Sequence, residues 1–193
     1  MSLSIPDIVA LFEARGHEQY SGEPVTQLQH ALQSAHLAEQ EGAGSALISA
    51  ALLHDVGHLL HDFGDTPSLK GLDDVHQYRC LPFLRSLFGP ATLEPIKLHV
   101  DAKRFLCARE PAYHDALSAD SKRSLQLQGG VFNADQADGY EALPFALDPV
   151  RLRRWEDLPK SADMAVPPLT HFVRHMEIAA QEHAASRAAG PHR

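Results

Sequence analysis

The stretch AALLHDVGHLLHD, residues 50 to 62, places a His-Asp pair inside an otherwise apolar segment. Its apolar neighbours predict burial, and a buried imidazole or carboxylate without a partner is unfavourable by several kcal/mol. His54 and Asp55 therefore both need partners, which in protein interiors are other charged groups or metal ions. The segment predicts a buried polar centre that other parts of the chain must complete.

Helical periodicity dominates the rest of the chain. A second helix, which carries His30, is marked by an apolar stripe made of Val25, Leu28, Leu32, Ala35 and Ala38. Residues 44 to 60 are apolar almost all round, which predicts one central buried helix. No stretch alternates apolar and polar residues as a half-buried strand would. The pattern predicts an all-α helical bundle, a single domain over residues 1–180, with residues 181–193 as a frayed tail.

Three candidate N-cap residues indicate where later helices begin. Thr92 is a candidate N-cap for a helix that carries His99, since its hydroxyl can accept a hydrogen bond from the first turn. Asn133 and Asp148 are candidates for two further starts.

Composition narrows the possible partners. The chain has 193 residues, which suits one domain, and its net charge of −8 argues against nucleic acid bound through a broad basic surface. No apolar run is long enough to span a membrane. The N-terminal segment lacks the basic start and apolar core of a secretory signal, and Cys80 and Cys107 have no disulfide or metal spacing. We therefore expect a cytoplasmic protein that binds neither nucleic acid nor membrane.

Histidines and acids elsewhere could complete a metal site around the His-Asp pair. On a helix, residues i and i+1 point about 100° apart while i and i+4 share a face, so Asp55 could bridge two ions of which His54 binds one. His58 would lie one turn beyond His54 and point into the same cavity. The remaining candidates are His30, His76, His99 and the acidic pair Glu156-Asp157. Imidazole with carboxylate suits iron, manganese, zinc or nickel.

Each of these residues, taken alone, has a simpler interpretation. His30 on an apolar helix face would be a hydrogen-bonded core residue, and His76 in a loop would be exposed. Lys103, one turn beyond His99, would place a cation beside the metals or would lie on a solvated helix face. Ser121 could be a helix-capping or surface group. Only the joint pattern of histidines and acids favours a two-metal site.

Five segments of the chain, at matching spacing, resemble one known family. They are QYSGEPVTQLQHALQSA, ALLHDVGHL, KLHVDAKRFL, YHDALSADSKRSLQLQGG and VRLRRWEDLPK. They resemble segments of the HD-domain mixed-valent diiron oxygenases that cleave carbon–phosphorus bonds, and the resemblance extends over nearly the whole chain from Tyr20 to Lys160. That family acts on 2-amino-1-hydroxyethylphosphonate or on its trimethylammonium analogue.

The resemblance implies an HD-domain helical bundle holding two iron ions in a mixed-valent Fe(II)/Fe(III) state. The implied iron ligands are His30, His54, Asp55, His76, His99 and a late acid. The family has an aspartate at this last position, and the ungapped alignment favours Glu156 over Asp157. The implied phosphonate-binding groups are His58, Lys103, Ser121 and Arg153. Tyr20 would be a lid residue and Glu23 the carboxylate that meets the substrate amine. The residues implied in catalysis are His58, Lys103, Tyr20 and Glu23.

The sequence therefore predicts an oxygenase. With O2 as co-substrate it would cleave the C–P bond of a 1-hydroxy-2-(trimethyl)aminoethylphosphonate-type substrate, releasing phosphate and a glycine-type carboxylate. The alternative is a metal-dependent phosphohydrolase that acts on a nucleotide or phosphate ester, because the same ligands could serve it. A third hypothesis, a non-catalytic binding module, has no need of so complete a ligand set. The sequence leaves open the choice between a primary and a quaternary amine, and also the oligomeric state.

Overall fold

Within residues 2–20, 23–61, 67–158 and 160–189, which the computed structural model describes, the chain forms helices and no strand. The α-helices, in chain order, are α1 (Ile5–Arg15), α2 (Gln27–Gln40), α3 (Ser45–Leu53), α4 (His76–Arg79), α5 (Leu81–Leu84), α6 (Pro90–Arg109), α7 (Pro111–Ala116), α8 (Ala119–Leu127), α9 (Ala134–Glu141), α10 (Leu147–Asp157) and α11 (Leu169–Ala188). Two 3₁₀ helices span Val56–Leu60 and Pro67–Lys70. The prediction of an all-α bundle is confirmed.

Three helix starts use the same local device. The side chains of Ser4, Thr26 and Asn133 each accept a hydrogen bond from the backbone N–H of the third helical residue, whose side chain in turn accepts one from the N-cap N–H. Such capping boxes satisfy donors that the first turn cannot pair internally. The start predicted at Asn133 is confirmed.

The central apolar segment is not one helix, as the sequence predicted. Helix α3 ends at Leu53, and a 3₁₀ helix begins at Val56 after a turn at residues 54 and 55. The His54 Nδ1 atom donates to the Ala51 carbonyl oxygen at 2.8 Å. In a continuing α-helix that oxygen would accept from the Asp55 N–H, so the side chain competes with the next helical bond.

Three other helix boundaries also differ from the predictions. Helix α6 begins at Pro90 with Gly89 as its N-cap, so Thr92 is a buried residue inside the helix. Proline suits the first helical position because its missing N–H needs no partner there. Helix α10 begins at Leu147, which places Asp148 in its first turn. Helix α11 continues to Ala188, so residues 181–188 of the expected tail are helical, while residues 190–193 lie outside the described chain.

Helix α3 lies at the centre of the bundle. It packs against α2, α6, α10 and α11, and nearly every one of its residues is buried. The surrounding core includes Phe12 from α1, Leu152 from α10 and Phe172 from α11. Because α3 ends inside this core, the His-Asp pair that follows it is buried as well.

One close backbone contact fixes the approach of α4 to this centre. A Cβ atom at Gly57 would lie 2.2 Å from the His76 carbonyl oxygen, so only glycine fits there. The preceding Val75 has a left-handed backbone with φ of 46°, which is uncommon for a β-branched residue. The turn delivers His76 to the centre of the bundle at the start of α4.

Of the helices that the structure describes, none has the length and apolar character that crossing a lipid bilayer requires.

Candidate metal centre

Four imidazoles from separate parts of the chain surround the Asp55 carboxylate. Asp55 Oδ2 lies 3.2 Å from His54 Nε2 and 3.6 Å from His30 Nε2. Asp55 Oδ1 lies 3.2 Å from His76 Nε2 and 3.6 Å from His99 Nε2. All five residues are at least nine-tenths buried. One carboxylate oxygen therefore faces each histidine pair, which is the arrangement that a bridging ligand needs.

Within each pair, the two ring nitrogens are as close as two ligands of one ion. His30 Nε2 lies 3.2 Å from His54 Nε2, and His76 Nε2 lies 3.0 Å from His99 Nε2. Bonds of about 2.0–2.1 Å from each nitrogen would let a single cation lie between them. The donor set of imidazoles and carboxylates fits a first-row transition metal at each position.

In two of these rings, His54 and His99, the opposite nitrogen donates to a backbone carbonyl. His54 Nδ1 donates to the Ala51 carbonyl, and His99 Nδ1 donates to the Ile96 carbonyl at 2.6 Å. A ring that donates through Nδ1 presents the Nε2 lone pair when it is neutral, so both rings are oriented to bind a cation in the cluster.

Asp74 contacts both His76 of the cluster and His58, and the sequence analysis missed it. Its Oδ1 lies 2.8 Å from His76 Nδ1 and its Oδ2 lies 2.6 Å from His58 Nδ1. Burial alone would raise the pKa of Asp74, but the hydrogen bonds from His58 and His76 hold it below its ordinary value. An acid two residues before a candidate ligand was the available signal, since such acids often orient metal-binding histidines.

His58 reaches the cavity by a different route from the one predicted. It lies on the 3₁₀ helix that follows α3, not one α-helical turn beyond His54. Its ring stacks on that of His76 with centroids 4.1 Å apart, and its Nε2 lies 3.7 Å from Asp55 Oδ1. With Nδ1 held by Asp74, the Nε2 atom is the one that can exchange a proton with a bound molecule.

The two late acids point in different directions from α10. Glu156 Oε2 lies 3.1 Å from His54 Nε2, is buried and has no hydrogen-bond partner among the described residues. Burial raises the pKa of Glu156, while its neighbour Arg153 opposes that change. Asp157 instead contacts Arg153 and the Tyr113 hydroxyl. The geometry thus brings Glu156 to the cluster and ties Asp157 to Arg153.

A set of polar groups lines the other side of the same small cavity, whose volume is about 70 Å³. Lys103 is buried, and its Nζ donates to Ser124 Oγ at 2.9 Å. Burial lowers the pKa of Lys103 to about 8, with a contribution from Arg153. Ser121 and Arg153 line the cavity too. Sequence reasoning favoured Ser121 and gave Ser124 no role, although the two stand three residues apart on α8.

Tyr20 and Glu23 line two different cavities. Tyr20 lines the small cavity and stacks on the His30 ring, with centroids 3.9 Å apart. Glu23 lines a neighbouring, larger cavity of about 530 Å³, where its Oε1 lies 3.7 Å from the Lys160 Nζ. The carboxylate expected to meet a substrate amine thus faces a lysine of the chain itself.

A second group of possible ligands lies between α2 and α11. Glu39 contacts His171 and His175, which stand one turn apart on α11, at 2.9 and 3.1 Å. Arg174 donates to the same carboxylate at 2.7 Å and so supplies the cation that the group needs. These contacts form an ion-pair cluster that ties α2 to α11.

The helical fold and the buried histidine–carboxylate cluster define a metal-binding protein of the HD-domain type. The chain is 36% identical over 176 residues to 1-hydroxy-2-(trimethylamino)ethylphosphonate dioxygenase (glycine-betaine-forming) of Leisingera caerulea, which covers 91% of this chain and 90% of that protein. It is 42% identical over 174 residues to hydroxymethylphosphonate dioxygenase of Gimesia maris, covering 89% and 86%. The chain belongs to this family of phosphonate dioxygenases.

A more distant relative has no assigned activity. The chain is 31% identical over 171 residues to the uncharacterized protein L432 of Acanthamoeba polyphaga mimivirus, which covers 88% of this chain and 78% of that protein. No family model matches the chain.

Proposed function

We propose that this enzyme uses O2 to cleave the carbon–phosphorus bond of a 1-hydroxyphosphonate. Both curated relatives with an assigned activity are named as dioxygenases of such compounds, one with a trimethylamino group and one without. The observation that carries the proposal is the presence, in one cavity, of a two-cation ligand cluster and the buried ammonium of Lys103. The first would serve O2 chemistry and the second a phosphonate.

We assign two iron ions to the cluster. His30, His54 and Glu156 would hold one ion, His76 and His99 the other, and Asp55 would bridge them. The convergence of their ring nitrogens and carboxylate oxygens supports this division. A mixed-valent Fe(II)/Fe(III) pair bound there would supply the electrons and the coordination position for O2.

The overall reaction needs no reagent besides O2. Hydroxymethylphosphonic acid and O2 together contain the same atoms as formic acid and phosphoric acid, so the reaction balances. The carbon that bears phosphorus is oxidised to a carboxylic acid, the C–P bond breaks, and both oxygen atoms of O2 are used. A substituent on that carbon passes unchanged into the carboxylate, so a trimethylaminomethyl group would yield glycine betaine.

The residues of the chain bind, orient and shield the substrate. Lys103 keeps two donors beyond its bond to Ser124, and these would hold phosphonate oxygens. Ser121 adds a hydroxyl on the same side. His58 Nε2 would accept or return the proton of the substrate hydroxyl, because Asp74 fixes its other nitrogen. Tyr20 covers the His30 side of the cluster and excludes water there.

Arg153 would both bind the phosphonate and position Glu156. Its guanidinium contacts Glu156 as well as Asp157, and Tyr113 accepts from its Nε at 3.0 Å. These contacts hold the guanidinium at the edge of the cavity. There it would orient the phosphonate and keep Glu156 directed toward His54.

The test is phosphate release from hydroxymethylphosphonate and from its trimethylaminomethyl analogue by the iron-loaded enzyme, with and without O2. We expect release only with O2, in step with O2 consumption and carboxylate formation. Equal release under strict anaerobiosis, or turnover of nucleotides and no phosphonate, would instead establish the phosphohydrolase.

A further inference from the structure

Lys160 occupies a position that bears directly on the choice of substrate. Its Nζ lies 4.7 Å from the centre of the Tyr20 ring and 3.7 Å from Glu23 Oε1. A position over an aromatic face and beside a carboxylate is one that would bind a substrate ammonium. In this chain the lysine already fills it.

The aromatic ring and the carboxylate are held in place by their own backbone. The Tyr20 N–H donates to the Val25 carbonyl at 3.0 Å, and the Glu23 N–H donates to the Tyr20 carbonyl at 2.7 Å. The Gln19 side chain donates to the Glu23 carbonyl. Because this turn fixes both side chains relative to His30, the pair forms a built binding position for one cation.

Lys160 is itself confined. Its side chain is only 12% exposed, so the ammonium cannot move freely into solvent without uncovering Glu23 and the face of Tyr20. The Asp157 carboxylate on α10 is a further nearby charge, and Lys160 lowers the pKa of that carboxyl, although burial and Arg153 have larger effects. The positive charge of Lys160 therefore partly neutralises the carboxylates of Glu23 and Asp157 when no substrate is bound.

We propose that Lys160 is a specificity-determining residue that excludes cationic substituents, so that the enzyme selects 1-hydroxyphosphonates without an ammonium group. A substrate ammonium would have to displace the lysine or bind beside a like charge, and like charges in contact are strongly unfavourable. This inference rests on the proposed function for its setting, but it concerns only which substituent is accepted.

The size of the site agrees with a compact substrate. The cavity that holds the cluster has a volume of about 70 Å³, while pockets for drug-sized ligands commonly have ~300–1,000 Å³. Tyr20, whose ring lies beside Lys160, is one of the residues that line this cavity. Hydroxymethylphosphonate is the smallest 1-hydroxyphosphonate, and it carries no ammonium group that would compete with Lys160.

The experiment compares kcat/KM for hydroxymethylphosphonate and for 1-hydroxy-2-(trimethylamino)ethylphosphonate. The wild-type enzyme should prefer the first by about ten-fold or more, a difference of roughly 1.4 kcal/mol for each factor of ten. Lys160→Met should raise kcat/KM for the ammonium compound at least about ten-fold, since it removes the charge and keeps the apolar stem. The value for hydroxymethylphosphonate should change much less.

Two further variants separate charge from structure. Lys160→Arg keeps the cation and should keep the wild-type preference. Lys97→Met removes another lysine that pairs with a glutamate, Glu94, outside both cavities, and should change neither value. A wild-type preference for the ammonium compound, or a Lys160→Met ratio equal to the wild-type ratio, would overturn the inference.

Binding without turnover gives an independent measurement. Calorimetric titration of the iron-loaded protein with each compound, under strict anaerobiosis, should show the same order of affinities in the wild type and tighter binding of the ammonium compound in Lys160→Met. If the wild-type enzyme released no phosphate from either compound in air, the proposed function would fail. The anaerobic affinities would still decide whether Lys160 excludes the ammonium.

Discussion

Glu156 Oε2 lies 3.1 Å from His54 Nε2, and no hydrogen bond from the described residues satisfies that oxygen. A buried carboxylate oxygen without a donor is costly unless a cation meets it. Glu156 reaches this point from α10, whereas the neighbouring Asp157 is held by Arg153 and Tyr113. Two adjacent acids on one helix therefore have separate tasks.

The first prediction distinguishes these two acids. Glu156→Ala should lower the iron content of the purified protein and its activity steeply, because it removes a proposed ligand. Asp157→Ala should leave the iron content near the wild-type value and raise KM for the phosphonate, since Arg153 loses one of its partners. Iron analysis and steady-state kinetics measure both effects, and the opposite pattern would identify Asp157 as the ligand.

The second prediction concerns the proposed bridge. Protein made with iron supplied should hold two iron ions per chain, and Asp55→Ala should lose both, because each oxygen of Asp55 faces one histidine pair. Asp138→Ala, which removes an exposed acid paired with Arg109, should retain two. Retention of one ion in Asp55→Ala would show that the two positions bind independently.

The third prediction concerns Lys103. Lys103→Ala should lower kcat/KM for a phosphonate roughly ten- to hundred-fold, as expected from losing a hydrogen bond to a charged group worth about 1.5–3 kcal/mol. The iron content should not change. Lys97→Ala, on the same helix but outside the cavity, serves as the control. Unaltered kinetics in Lys103→Ala would mean that the lysine does not contact the substrate.

The fourth prediction concerns the acid that orients His58 and His76. In Asp74→Asn the new amide would present N–H groups toward a ring that donates, so one histidine would lose its orientation. Loss of such an orienting acid typically weakens metal affinity by about 10–100-fold. Competition with a chelator measures the change, and Asp73→Asn, at the exposed neighbouring position, should bind iron as the wild type does.

The fifth prediction concerns stability at acid pH, away from the metal centre. Partial burial would raise the pKa of Glu39, but hydrogen bonds from His171, His175 and Arg174 hold it at about 2, below the ordinary 4.5. A lowered folded-state pKa stabilises the protein above the unfolded value and loses that effect as pH falls toward the folded value. Glu39→Gln should therefore be less stable near neutral pH by about 1 kcal/mol, after allowance for solvent screening.

The pH dependence of that difference is the decisive part. The free energies of unfolding of the metal-free wild type and Glu39→Gln should converge between about pH 4.5 and 2. Urea denaturation at a series of pH values measures this. A difference that stays constant over the range would show that the ionised carboxylate is not its source.

Much of the metal centre could be predicted from residue type and spacing. A His-Asp pair in an apolar segment indicates a buried charge that needs a partner. Few residue types can ligate a transition metal beside such a pair, which limits the candidates for the rest of the site. The helical class followed from periodicity and from the absence of strand-like alternation. His99 and Lys103 stand one turn apart on α6, as predicted, because a long regular helix fixes side-chain directions from the sequence alone.

Only the tertiary structure decided which polar groups meet. The end of α3 at Leu53 changed the path to His58, because a side-chain bond to Ala51 competed with the helix. Asp74 reaches the site because the next residue, Val75, has a left-handed backbone, and hydrophobic periodicity does not predict such a turn.

The same limit applies to the substrate side of the site. The family resemblance implied that Glu23 is a carboxylate for a substrate amine, whereas the fold places Lys160 beside it. The sequence determined the chemistry available to this protein, since ligand types and helical faces are local properties. The fold decided which charges are free to act, because a charge is available only when no other part of the chain neutralises it.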